Sequence, residues 1–178
     1  VTTGPIQGSR KAYAAWPGRP DIRVPFREVA LAPSAKEEPV RIYDTSGPYT
    51  DLAHAVDLGA GLPAIREPWI ARRGFAPATP RIVQPVDNGN LPEDRVLPPC
   101  PANRALLEAG GAKHVTQYEF ARAGIVTEEM IYVAHRENLG RATMLAGAEE
   151  RLADGESFGA ALPAFITPEF VRDEIARG

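Results

Sequence analysis

The sequence predicts an α+β fold with a small antiparallel sheet in its N-terminal part, a loop-rich middle and a helical C-terminal third. Apolar and polar residues alternate in the first 45 positions, as in strands, and helix-capping threonines recur after position 115. The 16 glycines and 18 prolines among 178 residues predict long ordered loops. We expect a single domain over 1–178, with its sheet part at about 1–60, its loop-rich part at 61–112 and its helical part at 113–178.

Three segments form the predicted sheet. Residues 11–16 make the first strand, and the turn-rich residues 17–21 lead to a second strand with Ile22, Val24 and Phe26 on one face. The apolar phase changes at Arg27-Glu28, which predicts a bulge there. Pro25 predicts an edge position for this strand, because proline has no N–H for a second ladder.

The stretch 39–51 combines the third strand with a polar turn. Val40 and Ile42 alternate with Arg41 and Tyr43, which predicts a half-buried strand. The turn 44–51 holds three aliphatic hydroxyls and two carboxylates in addition to Gly47-Pro48. Such a turn could bind a phosphate or a substrate, but side chains that bond their own loop are far commoner, and we favour that interpretation.

The middle of the chain contains two predicted short helices. One begins at Pro68, with Trp69 and Ile70 as apolar anchors and Gly74 as its end. The other covers residues 102–109, and Gly110 ends it. Between them, residues 75–101 have six prolines from Pro77 to Pro99 and are predicted to form a surface loop or linker.

Three helices are predicted in the last third. Thr116 and Glu119 have capping-box spacing, and Thr127 caps a helix that runs to about Asp154, roughly 40 Å. Its apolar stripe comprises Met130, Ile131, Ala134, Leu145, Ala148 and Leu152.

The stretch His135-Arg136-Glu137-Asn138 is polar on every side, so we expect a helix break there or a contact with another subunit or domain. The last helix begins at Thr167-Pro168-Glu169, and its packing face comprises Phe170, Val171, Glu174 and Ile175. That helix is still running at Gly178, from which we expect a longer polypeptide.

The composition and charge of the chain argue against two classes of protein. A net charge of -3 and a pI of about 5.7 argue against a dedicated nucleic-acid binder, and no apolar run is long enough to span a bilayer. The N-terminal strands nevertheless carry a basic run, which predicts either an anion site or, as we favour, a solvated or subunit-facing surface: Arg10, Lys11, Arg19, Arg23, Arg27 and Arg41.

No catalytic, cofactor-binding or metal-binding residue is predicted in this chain. Cys100 is the single cysteine, and none of His54, His114 and His135 falls in a motif that would make it the base of a thiol nucleophile. His135 and Glu137 are two residues apart, which directs them away from each other on a helix. Gly59-Ala60-Gly61 follows no convincing strand and opens no helix, so it is no phosphate loop.

Ordered motifs over nearly the whole chain resemble the N-terminal region of phosphomethylpyrimidine synthase. The matching motifs are Gly8-Ser9-Arg10-Lys11, Arg19-Pro20-Asp21-Ile22-Arg23-Val24-Pro25-Phe26-Arg27-Glu28, the stretch 39–51, Gly61-Leu62-Pro63, Trp69-Ile70, Arg73-Gly74, Val115-Thr116-Gln117, Ala121-Arg122, Thr127-Glu128-Glu129-Met130, Arg136-Glu137-Asn138, Gly155-Glu156-Ser157-Phe158-Gly159 and Ile166-Thr167-Pro168-Glu169-Phe170-Val171-Arg172-Asp173-Glu174. Residues 75–112 do not align. Tyr118-Glu119-Phe120 and His135 depart from the pattern expected of the family.

The resemblance implies a lyase of thiamine biosynthesis. The family's radical S-adenosylmethionine (SAM) enzyme uses a [4Fe-4S] cluster and a second metal ion such as zinc to rearrange 5-aminoimidazole ribonucleotide into 4-amino-5-hydroxymethyl-2-methylpyrimidine phosphate. Its cluster ligands and its barrel lie C-terminal to the region that this chain resembles. The resemblance also implies a homodimer in the cytoplasm, or in a plastid if the source is a plant.

Three functional hypotheses follow. The first is an accessory domain that packs on the barrel and iron-sulfur domains of the same protein, shapes the approach to the small-molecule substrate and helps to build the homodimer. The second is a free-standing binding or interaction module whose basic sheet is its ligand face. The third, to which we give little weight, is a thiol hydrolase that uses Cys100.

Overall fold

The computed structural model describes residues 7–55, 57, 61–79, 107–153 and 163–178. For residues 142–153 only the main chain is described. It has two compact units: Val1–Leu52 with Val115–Gly178, and Ala53–His114. The predicted single domain over 1–178 stays a prediction. The elements are, in chain order, β1 (Ser9–Trp16), β2 (Arg19–Val29), β3 (Val40–Tyr43), α1 (Glu67–Arg72), β4 (Ala76–Pro77), β5 (Leu107–Glu108), α2 (Gln117–Arg122), α3 (Glu128–Ala153) and α4 (Pro168–Arg177).

The small N-terminal antiparallel sheet and the later helices confirm the α+β prediction. Strands β1, β2 and β3 lie in that order, all antiparallel. Pro17 and Gly18 form the tight connection from β1 to β2, where Gly18 has φ of 75°, a backbone conformation that favours glycine. The predicted connection over residues 17–21 is therefore shorter than expected.

Strand β2 is the central strand, so its predicted edge position is wrong. Pro25 lies opposite Tyr13 of β1, and its carbonyl oxygen accepts a hydrogen bond of 3.0 Å from the N–H of Asp44 on the other side. The nitrogen of Pro25 faces the same side as its carbonyl, just beyond Tyr43, where the β2–β3 ladder has ended. The missing N–H therefore removes a single bond at the end of that ladder.

The bulge predicted at Arg27-Glu28 is also wrong. The register of β1 with β2 continues through both residues, and the irregularity lies at Ala15/Trp16 instead. Glu28 simply occupies the next inward position after Ile22, Val24 and Phe26, and it is buried like them. The apolar phase appeared to change because a carboxylate stands where an aliphatic residue was expected.

Strand β3 pairs with β2 as predicted, but its apolar residues lie on the exposed face and not on the buried one. Val40 and Ile42 are 46% and 54% exposed, because they lie opposite Val29 and Arg27 on the outer face of the sheet. Arg41 and Tyr43 lie on the face of Glu28 and Phe26 instead. The half-buried apolar face predicted for this strand is therefore wrong.

The helices of the same unit begin at their predicted caps. Thr116 and Glu119 form a reciprocal capping box at α2, and Thr127 and Thr167 each accept a bond from the main-chain N–H three residues later. Helix α3 runs unbroken through Gly140 to Ala153, close to the predicted end at Asp154.

Two apolar clusters meet along α3. Phe120, Ala121 and Met130 form a helical core onto which Val171 and Ile175 of α4 pack. Glu174, which was predicted on the packing face of α4, is exposed. On the other side, α3 packs against β2 and β1, where Ile22, Val24 and Ala134 are fully buried. The positions of the stripe beyond Ala134 lie outside the described side chains.

The polar stretch 135–138 does not break α3, and two of its side chains make contacts within its own unit. His135 Nε2 lies 3.1 Å from the carbonyl oxygen of Ala14, and its ring packs edge-on against Trp16. Asn138 bonds both main-chain groups of Ile166, at 2.7 and 2.9 Å. These two side chains thus join α3 to the sheet and to the segment before α4.

The second unit contains α1, β4 and β5. Helix α1 confirms the prediction at Pro68, because Trp69 is buried and Gly74 has φ of 82° just after the helix. The helix predicted over 102–109 is wrong at Leu107–Glu108, which pairs antiparallel with Ala76–Pro77. Residues 102–106 lie outside the described part. Within the described residues, no helix is long and apolar enough to cross a membrane.

Replacement of Met130 by alanine tests the helical core. Met130 is 1% exposed, so Met130→Ala should lower the free energy of unfolding by about 2–5 kcal/mol, through lost burial and the cavity left behind. Denaturant titration followed by circular dichroism measures this loss. The control is Val133→Ala in the same helix, where the side chain is 37% exposed and a loss below about 1 kcal/mol is expected. Equal losses would contradict the assigned core.

Candidate functional site

The turn 44–51 is built around the carboxylate of Asp44. Its Oδ1 accepts hydrogen bonds from the main-chain N–H of Ser46, at 2.8 Å, and from the Ser46 hydroxyl. Its Oδ2 lies 3.3 Å from Lys11 Nζ and 3.0 Å from Arg27 Nη2. Lys11 also donates to the carbonyl oxygen of Gly47. We call these five residues the Asp44 cluster.

The three charged side chains of the Asp44 cluster are buried together. Lys11, Arg27 and Asp44 expose only 5%, 15% and 4% of their side chains. Burial by itself would raise the pKa of Asp44, but the hydrogen bonds from Ser46 and the charge of Lys11 outweigh it and hold that pKa below its usual value. Both oxygens of Asp44 therefore already have partners within the fold.

Tyr13 anchors the far end of the same turn. Its hydroxyl donates a 2.6 Å hydrogen bond to Asp51 Oδ2, and the guanidinium of Arg23 stacks 4.2 Å from its ring centre. Burial and the bond to Asp51 raise the pKa of Tyr13 to about 12. The interpretation that the turn bonds itself and its neighbouring strands is thereby confirmed.

Glu28 forms a second charged centre on the opposite face of the sheet. Arg10 lies 2.6 Å from one carboxylate oxygen, and Arg41 lies 2.6 Å from the other. These three residues are directly opposed across the three strands. Hydrogen bonds from Arg41 and then Arg10 lower the pKa of Glu28. An open hollow of about 240 Å³ beside it is lined by Gly8, Ser9, Arg10, Glu28, Ala30 and Pro39.

Most of the basic run predicted from the sequence is neutralised. Besides the pairs with Asp44 and Glu28, Arg19 bonds Asp21 at 2.9 Å and approaches Glu128 at 3.6 Å. Arg23 stacks on Tyr13. Because nearly every cation already has an internal acidic or aromatic partner, the run is poorly suited to binding an anion.

A tyrosine pair joins β3 to α3. The hydroxyls of Tyr43 and Tyr132 are 3.2 Å apart, and Arg136 lies 5.5 Å from the ring centre of Tyr43. Burial and the bond to Tyr43 raise the pKa of Tyr132. Arg136 is also paired with Glu137. No local pattern in the sequence indicates this contact, since the two tyrosines lie 89 positions apart in the chain.

None of the residues considered for chemistry comes together in a reactive arrangement within the described ranges. The ring of His135 already contacts the carbonyl oxygen of Ala14 and the ring of Trp16. Among the described residues, no group of three or more histidine, cysteine, aspartate or glutamate side chains could hold a metal ion. Cys100, Gly59 and Ala60 lie outside the described residues. The charged contacts that the structure does describe hold strands and turns against one another.

A comparison with known protein families identifies the part of the chain that holds these ion pairs. Residues 5–76 match the ThiC-associated domain. The match spans about two fifths of the chain and includes the whole sheet and the turn 44–51. It supports the resemblance to the N-terminal region of phosphomethylpyrimidine synthase, the ThiC protein, and relates the chain to thiamine biosynthesis.

The residues of this chain do not fit the iron-sulfur cluster of that enzyme. Three thiolate ligands are required by the family's motif, and the chain has one cysteine. The described residues likewise offer no cluster of ligands for a second metal ion. We therefore derive no catalytic step through either group on this chain.

Replacement of Asp44 by asparagine tests the Asp44 cluster. Asp44→Asn should destabilise the chain by about 3 kcal/mol at pH 7, because it leaves Lys11 and Arg27 buried without a counter-charge. The wild-type advantage should shrink as the pH falls below about 4, since the unfolded aspartate then binds a proton before the folded one does.

The measurement is the free energy of unfolding of both proteins between about pH 2 and pH 7. Asp173→Asn is the matched control, because Asp173 is 54% exposed beside Arg172 and should change stability by less than about 1 kcal/mol. A difference between wild type and Asp44→Asn that does not depend on pH would contradict the assigned charge pairing.

Proposed function

We propose that the chain is the N-terminal accessory domain of a phosphomethylpyrimidine synthase. The enzyme would convert 5-aminoimidazole ribonucleotide to 4-amino-5-hydroxymethyl-2-methylpyrimidine phosphate by radical SAM chemistry, with a [4Fe-4S] cluster and a second metal ion held by other parts of the polypeptide. The observation that carries this proposal is the match of residues 5–76 to the ThiC-associated domain. We further propose a homodimer in the cytoplasm or plastid.

The contacts of the described residues favour a scaffolding role for this domain. Both buried carboxylates, Asp44 and Glu28, are held by cations of the same sheet. Groups that are already bonded within the fold are poorly available to a substrate, whereas they define the shape of the surface that carries them. In this proposal the domain packs on the barrel and shapes the approach to the active site.

The alternative of a free-standing ligand-binding module has less support. This alternative requires the basic sheet to present unpaired cations to a ligand. Four of its cations are instead paired with Glu28 or Asp44, namely Arg10, Lys11, Arg27 and Arg41. The thiol-hydrolase hypothesis rests on Cys100, which lies outside the described residues, and none of the contacts described here supports it.

Complementation tests the proposed pathway. The native polypeptide should restore growth without thiamine to a bacterial strain that lacks its own phosphomethylpyrimidine synthase. Residues 1–178 expressed by themselves should not, because one cysteine cannot supply three thiolate ligands for the cluster. Growth restored by residues 1–178, or no growth with the native polypeptide, would refute the proposal.

Asp44→Ala in the native polypeptide tests the accessory role. We expect kcat per cluster-loaded enzyme to stay within about twofold of wild type while the unfolding temperature falls, since Asp44 is bonded only within the fold. Asp173→Ala serves as the exposed control. A loss of kcat of about a hundredfold in a folded, cluster-loaded variant would instead assign Asp44 a part in catalysis.

A further inference from the structure

The carboxylate of Asp44 lies where a bound anion would lie. Four donor groups converge on it: the main-chain N–H of Ser46 at 2.8 Å and the Ser46 hydroxyl on Oδ1, and Arg27 Nη2 at 3.0 Å and Lys11 Nζ at 3.3 Å on Oδ2. Ammonium, guanidinium and main-chain N–H groups are the donors with which proteins bind carboxylates. The donors therefore have the composition of an anion site whose occupant is a side chain of the same polypeptide.

The donors of this site are held in place by the sheet and not by Asp44 alone. Lys11 of β1 and Arg27 of β2 lie directly opposite each other in the antiparallel register. Lys11 also donates to the carbonyl oxygen of Gly47. Because the strand register brings the two cations together, we expect them to stay close when the carboxylate is removed.

The site has more positive charge than its occupant neutralises. Lys11 and Arg27 are two buried cations, and Asp44 is the one buried anion that pairs with both. Nη1 of Arg27 is also buried, and among the described residues it has no hydrogen-bond partner. Since a buried cation without a counter-charge is costly, a site that has lost Asp44 should bind an anion from solution.

The position of Asp44 defines the size of that anion. Its main chain is fixed by the 3.0 Å hydrogen bond from its N–H to the carbonyl oxygen of Pro25. Truncation at Cβ, as in Asp44→Ala, removes only the carboxylate group, whose non-hydrogen atoms are those of formate. Ser46 and Gly47 of the surrounding turn are exposed, so a small anion reaches the site through a local opening of the turn 44–51.

We propose that Lys11, Arg27 and Ser46 form a carboxylate-binding site that Asp44 closes in the native fold. The ligand class is a small monocarboxylate, and the larger, tetrahedral phosphate does not match the space that the side chain fills. The carboxylate of Asp44 is tethered beside its donors at a high effective concentration, so a free anion does not displace it from the wild type. The inference goes beyond the proposed function and does not depend on it.

Chemical rescue of Asp44→Ala tests the proposal. We measure the folding equilibrium constant of the 178-residue variant at neutral pH by urea titration with circular dichroism, in sodium chloride and in sodium formate. At about 0.1 M salt, formate should raise this constant at least about fivefold over chloride, because a ligand that binds only the folded state stabilises it. If Asp44→Ala is unfolded in chloride, formate should restore the circular dichroism of the folded chain. The wild type should behave alike in both salts.

Asp44→Asn is the matched control. Its amide lacks the negative charge, as alanine does, but it fills the space of the carboxylate, so formate should give it no advantage over chloride. Asp44→Gly removes one further carbon and should therefore be stabilised more by acetate than by formate. The proposal is overturned if neither Asp44→Ala nor Asp44→Gly gains from a carboxylate. An equal gain for Asp44→Asn or the wild type overturns it too, because that gain would be a general effect of the salt.

Discussion

The buried carboxylate of Asp44 is the interaction on which the N-terminal sheet depends. It follows the last residue of β3, yet its partners lie on β1 and β2 through Lys11 and Arg27. A single acidic group therefore joins all three strands at one end of the sheet. It also accepts the Ser46 bonds that start the turn 44–51, so the course of the chain after β3 is set by the same side chain.

Glu28 has the corresponding role on the opposite face. The antiparallel register places Arg10, Glu28 and Arg41 in one row across the sheet, which lets one carboxylate neutralise two guanidinium groups. The low pKa of Glu28 follows from those two hydrogen bonds. With a carboxylate on each face, a three-stranded sheet rich in arginine stays compact, and its remaining inner surface is free to pack on α3 through Ile22 and Val24.

Local signals in the sequence predicted most elements of this fold. The caps at Thr116, Thr127 and Thr167 and the helix at Pro68 are determined by bonds within a few residues, so their positions could be read directly. The features that were predicted wrongly depend on contacts with residues far away in the sequence. Pro25 is tolerated centrally because β3 ends beside it, and Leu107–Glu108 is a strand because Ala76–Pro77 lies opposite.

The same distinction applies to the candidate site. That the turn 44–51 bonds its own side chains could be predicted, because Asp44 and Ser46 are two residues apart. Its cations could not be assigned, since Lys11 and Arg27 reach Asp44 only once the three strands are in register. The contact of Tyr43 with Tyr132 likewise requires α3 to cross the sheet.

These long-range pairs give the motifs shared with phosphomethylpyrimidine synthase a physical meaning. Arg27, Glu28 and Asp44 belong to the stretches that resemble the family and to the region matched by the ThiC-associated domain. Each is engaged in holding the sheet, and none has a free acid, base or thiol beside it within the described contacts. Within the matched region, these side chains therefore determine how the three strands and the turn 44–51 are held against one another.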